Sequence, residues 1–192
     1  MVLWYRSEHN YDFNFATVSL AYFIRYPNPF ASHVLSDDTI ERFVDAEGKL
    51  HSTRIIYKQG KLPRFVRPFL KKVGGTWILE KSIINPQTCE MQTWTSNLDH
   101  RRILQVHESA HYKSKSLNAP STSVRYDVSF SSNFGSWGIK DRIESWSYTR
   151  FGENLNKSKK GMFFVMSSLK EHGWNKLREM QIAIKHQPIV EE

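Results

Sequence analysis

The sequence predicts an α+β fold, a curved antiparallel sheet of seven strands gripping one long C-terminal helix. Three observations predict it. Runs of alternating apolar and polar residues recur through the first two-thirds of the chain, joined by short turn-rich connections, which is the pattern of a meander. From about Ile139 the apolar period becomes that of a helix and is sustained long enough to cross a whole sheet. The chain has 192 residues, 40% hydrophobic and 14% aromatic. It is therefore long enough to bury a core without disulfides or a metal, and too core-rich to be disordered.

The elements follow in order. Residues 3–9 read as a first strand with Leu3, Tyr5 and Ser7 on one face. Asp12 or Asn14 can cap a helix running to about Tyr26, because a short polar side chain accepts from the unpaired first-turn amides. That helix is apolar nearly all round (Phe15, Val18, Leu20, Tyr22, Phe23, Ile24), which predicts burial, and Pro27 and Pro29 end it. Residues 33–45 and 49–58 read as strands about a turn at Glu47-Gly48. Thr76–Asn85 and Thr88–Asn97 follow about Asn85-Pro86, then Ile103–Lys113 and Thr122–Ser132. Ile143, Trp146, Phe151, Leu155, Met162, Val165, Met166 and Leu169 form the apolar stripe of the long helix, to about His172. Residues 1–172 are expected to form one domain and residues 173–192 a loosely held tail.

Charge narrows the function. There are 27 Lys+Arg against 19 Asp+Glu, a net charge of +8. Residues 1–57 hold five bases and seven acids, whereas residues 58–72 hold six bases and no acid. The single cysteine, Cys89, predicted to lie in a strand, can form neither an internal disulfide nor a zinc cluster. No window is apolar enough to cross a membrane as a helix, and the N-terminus, with Arg6, Glu8 and Asp12, lacks the apolar core of a signal peptide.

In the basic segment, Lys58, Lys61, Arg64, Arg67, Lys71 and Lys72 alternate with Leu62, Phe65, Val66, Phe69 and Leu70. Pro63 and Pro68 disfavour a helix or a central strand, and Gly60, Gly74 and Gly75 bracket the loop like hinges. A solvated loop and a phosphate-backbone binder both accommodate the cations. A membrane-touching loop also accounts for the bulky apolar residues, with each base contributing about 1 kcal/mol near an anionic bilayer. A nucleic-acid loop has no need for five such residues.

A second polar pattern lies in the long helix. Arg150, Asn154 and Lys157 recur at i, i+4 and i+7, hence on one face, with Trp146 and Gly161 continuing the row beside the apolar stripe. The row reads either as a solvated flank with snorkelling cations or as the holder of an anionic headgroup at the mouth of an apolar cavity. The run His107-Glu108-Ser109-Ala110-His111 matches the H-E-x-x-H zinc pattern by letter. Its alternation is that of a strand, however, which would set the histidines about 13 Å apart, so no metal site is expected. No Gly-rich phosphate loop and no paired nucleophile and base are found, so no catalytic residue and no cofactor is expected.

Arg25-Tyr26-Pro27-Asn28-Pro29, followed by His33-Val34-Leu35, resembles the signature of the PRELI domain family. So do Gly60-Lys61-Leu62-Pro63, Asn97-Leu98-Asp99-His100 and the run from Trp146 to Lys157. The likeness spans about residues 1–172. It implies a START/phosphatidylinositol-transfer-like fold with a lid loop over a lipid cavity. It implies a non-enzymatic phospholipid carrier in the mitochondrial intermembrane space, peripheral on the inner membrane. The phosphatidic acid branch, supplying cardiolipin synthesis from the outer membrane, is the nearer match; the alternatives are a phosphatidylserine carrier of the same family or, in another class, a basic membrane-docking or nucleic-acid-binding module. It implies as partners phosphatidic acid, an anionic membrane surface and a small helical-hairpin chaperone with twin Cys-x9-Cys motifs, and no nucleic acid.

The likeness places headgroup contacts at Arg25, His33, Lys58, Arg150, Asn154 and Lys157. The lid and membrane contact fall on Lys61, Leu62, Arg64, Phe65, Val66, Arg67, Phe69, Lys71 and Lys72. Two positions depart from the family pattern: Arg150 stands where lysine is common, and Asn156 where a further base is often found. Arg25 could instead complement the end of the first helix, His33 could be a neutral turn histidine, and Lys58 an ordinary strand-end charge.

Overall fold

The computed structural model describes residues 2–59, 75–134 and 137–185. The expected lid, Lys61 to Lys72, lies outside the described residues. The elements are β1 (Leu3–Tyr11), α1 (Phe15–Ile24), β2 (Val34–Val44), β3 (Leu50–Lys58), β4 (Thr76–Asn85), β5 (Glu90–Asn97), β6 (Gln105–Lys113), β7 (Thr122–Ser131) and α2 (Trp137–Lys185). The seven strands form one sheet in the order β1-β7-β6-β5-β4-β3-β2, each adjacent pair antiparallel. Strands β2 to β7 are a meander, and β1 closes the row by pairing with β7, Tyr5 opposite Val128 and His9 opposite Val124.

Alternation places one residue in two on the face that meets the helices. In β7 these are Thr122, Val124, Tyr126, Val128 and Phe130, all buried. In β1 the odd-numbered residues from Leu3 to Tyr11 face the same way. The α1 turn starts because Asn14 stays extended (φ −67°, ψ 161°) and its side chain accepts from the Thr17 amide at 2.9 Å. From α1, Phe15, Val18, Ala21 and Tyr22 are buried, while Leu20 is exposed. They join Tyr112, Val124 and Tyr126 of the sheet and Leu155, Met162, Val165 and Met166 of α2 in one core.

Two expectations are corrected. Cys89 is not in a strand; it occupies the turn before β5 with a φ of 54° and is buried. The helix bends near its expected end, at Gly173, whose φ of 73° interrupts the helical backbone. It continues to Lys185, however, and Leu177 is fully buried in the common core. This part of the C-terminal segment is therefore packed rather than loosely held: one buried leucine removes enough apolar surface to contribute about 1.5–3 kcal/mol.

Candidate functional site

The inner face of the sheet is apolar toward β1 and β7 and polar toward β3 and β4. Arg54 of β3 and Glu80 of β4 are directly paired across the ladder, and both are buried. The Glu80 Oε1 accepts from Arg54 Nε at 2.8 Å and Nη2 at 2.6 Å, and its Oε2 accepts from Arg25 Nη2. Arg25 caps the C-terminal end of α1 and donates to the Tyr22 carbonyl. Its guanidinium lies 4.1 Å from the Tyr22 ring centroid and 4.7 Å from that of Tyr26. Arg54 also donates to the Phe23 carbonyl at 2.8 Å and reaches Asp37 at 3.6 Å. Burial opposes the Glu80 charge, but Arg25 and Arg54 outweigh it and hold the carboxyl down at about 2. Arg25 thus serves the helix end, and its charge is already matched by Glu80.

Nearer the rim, a second group assembles from three regions. His33 precedes β2, Lys58 ends β3, and Arg150 and Lys157 come from α2. Desolvation, followed by the positive charges of Lys58, Lys157 and Arg150, lowers the His33 imidazole to about 4. Three of the other sequence-predicted headgroup residues thus act electrostatically on the imidazole of the fourth, His33. Arg150 is paired to Glu153 at 2.6 Å in a partly exposed bridge, whereas Lys58 and Lys157 form no ion pair among the described residues. Asn154 and Lys157 are exposed on the helical face that carries Arg150. Tyr26 joins the two groups: burial pushes its hydroxyl up, but Arg25 and Lys58 outweigh it and leave it below its ordinary value. Gly75 keeps the strand exit narrow, since a Cβ there would meet the Tyr57 ring at 2.6 Å and the Lys58 carbonyl at 2.9 Å.

Sequence reasoning missed three members of this face. Arg54, Glu80 and Glu108 occupy inward positions of their strands, and Glu108 is raised by burial against the opposing pull of Lys58. The row Arg54, Glu80, Thr95 and Glu108 runs strand to strand in register. The available signal was a charge at an apolar-phase position of an alternating strand, which must find a partner once buried. The H-E-x-x-H run does lie on a strand, with Glu108 inward and His107 and His111 on the other side, as its alternation predicts.

The outer face is of a different kind. Trp4, Leu79 and Trp94 line a groove of about 320 Å³ together with Lys81, His107 and Asp127. Trp4 and Trp94 are exposed in the groove, and Trp77 is exposed on the neighbouring strand β4.

Known proteins resemble this chain in sequence and in fold. A model of the PRELI-like family matches residues 16–172. The chain is 49% identical over 171 residues to Protein UPS1, mitochondrial, of Saccharomyces cerevisiae, covering 89% of this chain and 97% of that protein. It is 34% identical over 154 residues to the human PRELI domain-containing protein 1, mitochondrial, covering 79% of this chain and 69% of that protein. Among solved structures it is similar to the Zhui aromatase/cyclase of a Streptomyces species, with a TM-score of 0.61 at 8% identity, over 90% of this chain and 98% of that one. It is also similar to a START superfamily protein of Mycobacterium smegmatis, with a TM-score of 0.51 at 12% identity, over 86% and 98% of the two chains. These two likenesses establish the fold class, a START-type sheet and long helix.

Proposed function

Because the chain belongs to the PRELI-like family, we propose that it is a non-enzymatic phospholipid carrier that moves phosphatidic acid from the outer to the inner mitochondrial membrane for cardiolipin synthesis. The observation that carries this reading is that Lys58, Arg150 and Lys157, from a strand end and one helix face, all bear on the buried His33 ring. Lys58 and Lys157 form no ion pair among the described residues and Arg150 only a partly exposed one, so an anion among the three would be held by all of them. A phosphate monoester supplies two negative charges, the forked Arg150 and the ammonium groups of Lys58 and Lys157 suit its oxygens, and Asn154 adds an amide donor.

A carrier is needed because a two-chain lipid leaving a membrane unaided exposes about 30 methylenes, a penalty of about 25 kcal/mol. In this reading the acyl chains are held between sheet and helix, and the segment from Lys61 to Lys72 meets the anionic bilayer. The mechanism forms and breaks no covalent bond. The chain acts in the intermembrane space, peripheral on the inner membrane. The helical-hairpin chaperone with twin Cys-x9-Cys motifs is placed on the outer face, where Trp4, Trp77 and Trp94 are exposed.

A second reading, a phosphatidylserine carrier, is favoured by Glu108: an acid on the cationic inner face suits the serine ammonium. The test is protein-dependent transfer between liposomes with the chaperone co-purified, one arm carrying fluorescent phosphatidic acid and the other phosphatidylserine. Transfer of phosphatidic acid alone supports the first reading, and transfer of phosphatidylserine alone the second. Transfer of neither overturns both. Lys58→Glu and Arg150→Glu are expected to abolish transfer and keep the fold, and intact transfer by both removes the headgroup assignment.

A further inference from the structure

The segment that presents Arg25 and Tyr26 is gripped by α2 from two sides. On one side, Asn28 is buried, its Nδ2 donating to the Arg25 carbonyl at 2.6 Å and its Oδ1 accepting from the Phe30 amide at 2.9 Å. Its amide group packs against Gly161 so closely that a Cβ on that glycine would lie 2.8–3.1 Å from it. On the other side stands Gln181, also buried, in the helical arm beyond the Gly173 bend. Its Nε2 donates to the Ile24 carbonyl at 2.7 Å and faces the carbonyls of Pro27 at 3.3 Å and Tyr26 at 3.5 Å. Leu177, one turn earlier on the same helical face, is fully buried against the core that includes Val18, Ala21 and Tyr22 of α1.

We propose that Gln181, seated by Leu177, is a positioning residue of the headgroup site. It fixes the backbone from Ile24 to Pro27, and through it Tyr26, which stands between the inner charge group and the rim. One side-chain amide group is directed at three carbonyls of this short segment, an arrangement that holds their direction and not merely their depth. Gly161 lies within the part matched by the family model, which ends at residue 172. The Gln181 clamp lies beyond it and belongs to this chain's own C-terminal arm. The inference rests on the carrier reading.

The test uses the full chain with its chaperone. Phosphatidylcholine vesicles contain either phosphatidic acid or diacylglycerol with the same acyl chains, and the lipid withdrawn per protein is measured. The two lipids differ only at the phosphate, so their ratio reports headgroup recognition and is insensitive to loss of folded protein. Wild type is expected to favour phosphatidic acid. Gln181→Leu removes the donor, and Gln181→Glu sets a carboxylate against the same carbonyls. Both are expected to cut the preference about fivefold, the effect of one positioning hydrogen bond, with diacylglycerol uptake unchanged. Backbone amides of residues 24–31 should exchange faster in both. An unchanged ratio in both variants, or an equal fall for both lipids, overturns the positioning role while leaving the carrier reading intact. A wild-type chain that shows no preference for phosphatidic acid overturns the carrier reading, and the positioning role with it.

Discussion

Replacing Glu80 with glutamine tests the electrostatic centre of the inner face. Glu80 is 3% exposed, Arg54 2% and Arg25 7%, and the carboxylate is bonded to both guanidinium groups. Glutamine keeps the shape and one acceptor oxygen, but it turns an NH2 group toward a guanidinium and removes the negative charge. Two cations are then buried with only Asp37, 3.6 Å from Arg54, in partial compensation. Removing one partner of a buried ion pair costs about 3–5 kcal/mol, far more than the pair itself contributes. With a urea slope of about 2 kcal/mol per M, the unfolding midpoint should fall by about 2 M. Urea unfolding followed by tryptophan fluorescence measures this, and a fall under about 0.5 M would refute the claim that Glu80 carries the charge balance. Acid titration gives a second reading. Glu80 is lowered from its ordinary 4.5 to about 2, so its stabilisation is complete above 4.5 and is lost as pH falls toward about 2. The Glu80→Gln variant should lack that contribution.

Further predictions follow from other parts of the structure. Lys157→Glu should abolish phosphatidic acid transfer while moving the unfolding midpoint little, because its side chain is exposed, and vesicle transfer beside a urea curve checks both. His9 and His33 are each lowered from 6.5 to about 4, both chiefly by burial, so their neutral forms stabilise the fold above 6.5 and this is lost as pH falls toward about 4. Bound phosphatidic acid should raise His33 and leave His9 unmoved, a contrast read by ring-proton NMR titration. Asn14→Ala removes the α1 cap and should lower stability by about 1 kcal/mol in chemical denaturation. Trp4→Ser with Trp94→Ser should reduce chaperone co-purification without changing the circular dichroism of the isolated chain.

The parts legible in the sequence were those fixed by local chemistry. Asn14 was readable as a cap because its amide serves amides three residues away, and the strands from Leu3 to Ser131 because alternation is a nearest-neighbour property. The strand character of His107 to His111 was readable for the same reason, against a motif that matched by letter alone. The helical row of Arg150, Asn154 and Lys157 was likewise a matter of period. What could not be read depends on contacts between distant segments. Glu80 meets Arg54 across a ladder whose register the intervening loop does not reveal, and meets Arg25 from the end of α1. Leu177 and Gln181 looked like a frayed tail because their partners, Val18 to Pro27, lie some 150 residues away in sequence. Cys89 was placed in a strand because nothing in its side chain announces a left-handed backbone.

The two charge groups on this face differ in a way that suits transport rather than storage. The inner one is closed: Arg25 and Arg54 are answered by Glu80 and Asp37, and breaking it costs folding energy. The rim is open: Lys58 and Lys157 lack ion pairs among the described residues, and Arg150 is held only by a bridge to Glu153 that stands partly in water. An exposed bridge of that kind contributes about 0–1 kcal/mol, so Arg150 can exchange Glu153 for a phosphate at little cost. Water would compete for the same cations, so under the proposed function a phosphate at the rim would be bound more weakly than in a dry pocket. A carrier requires this balance, since a headgroup bound to a fully buried Arg–Arg pair would not be released at the acceptor membrane. Removing the exchange partner should therefore act on release as well as capture. Glu153→Gln leaves Arg150 with no competing carboxylate, and it should increase phosphatidic acid retained per protein while slowing its delivery to acceptor vesicles. Equal rates of delivery in both proteins, at raised retention, would show that the bridge plays no part in exchange.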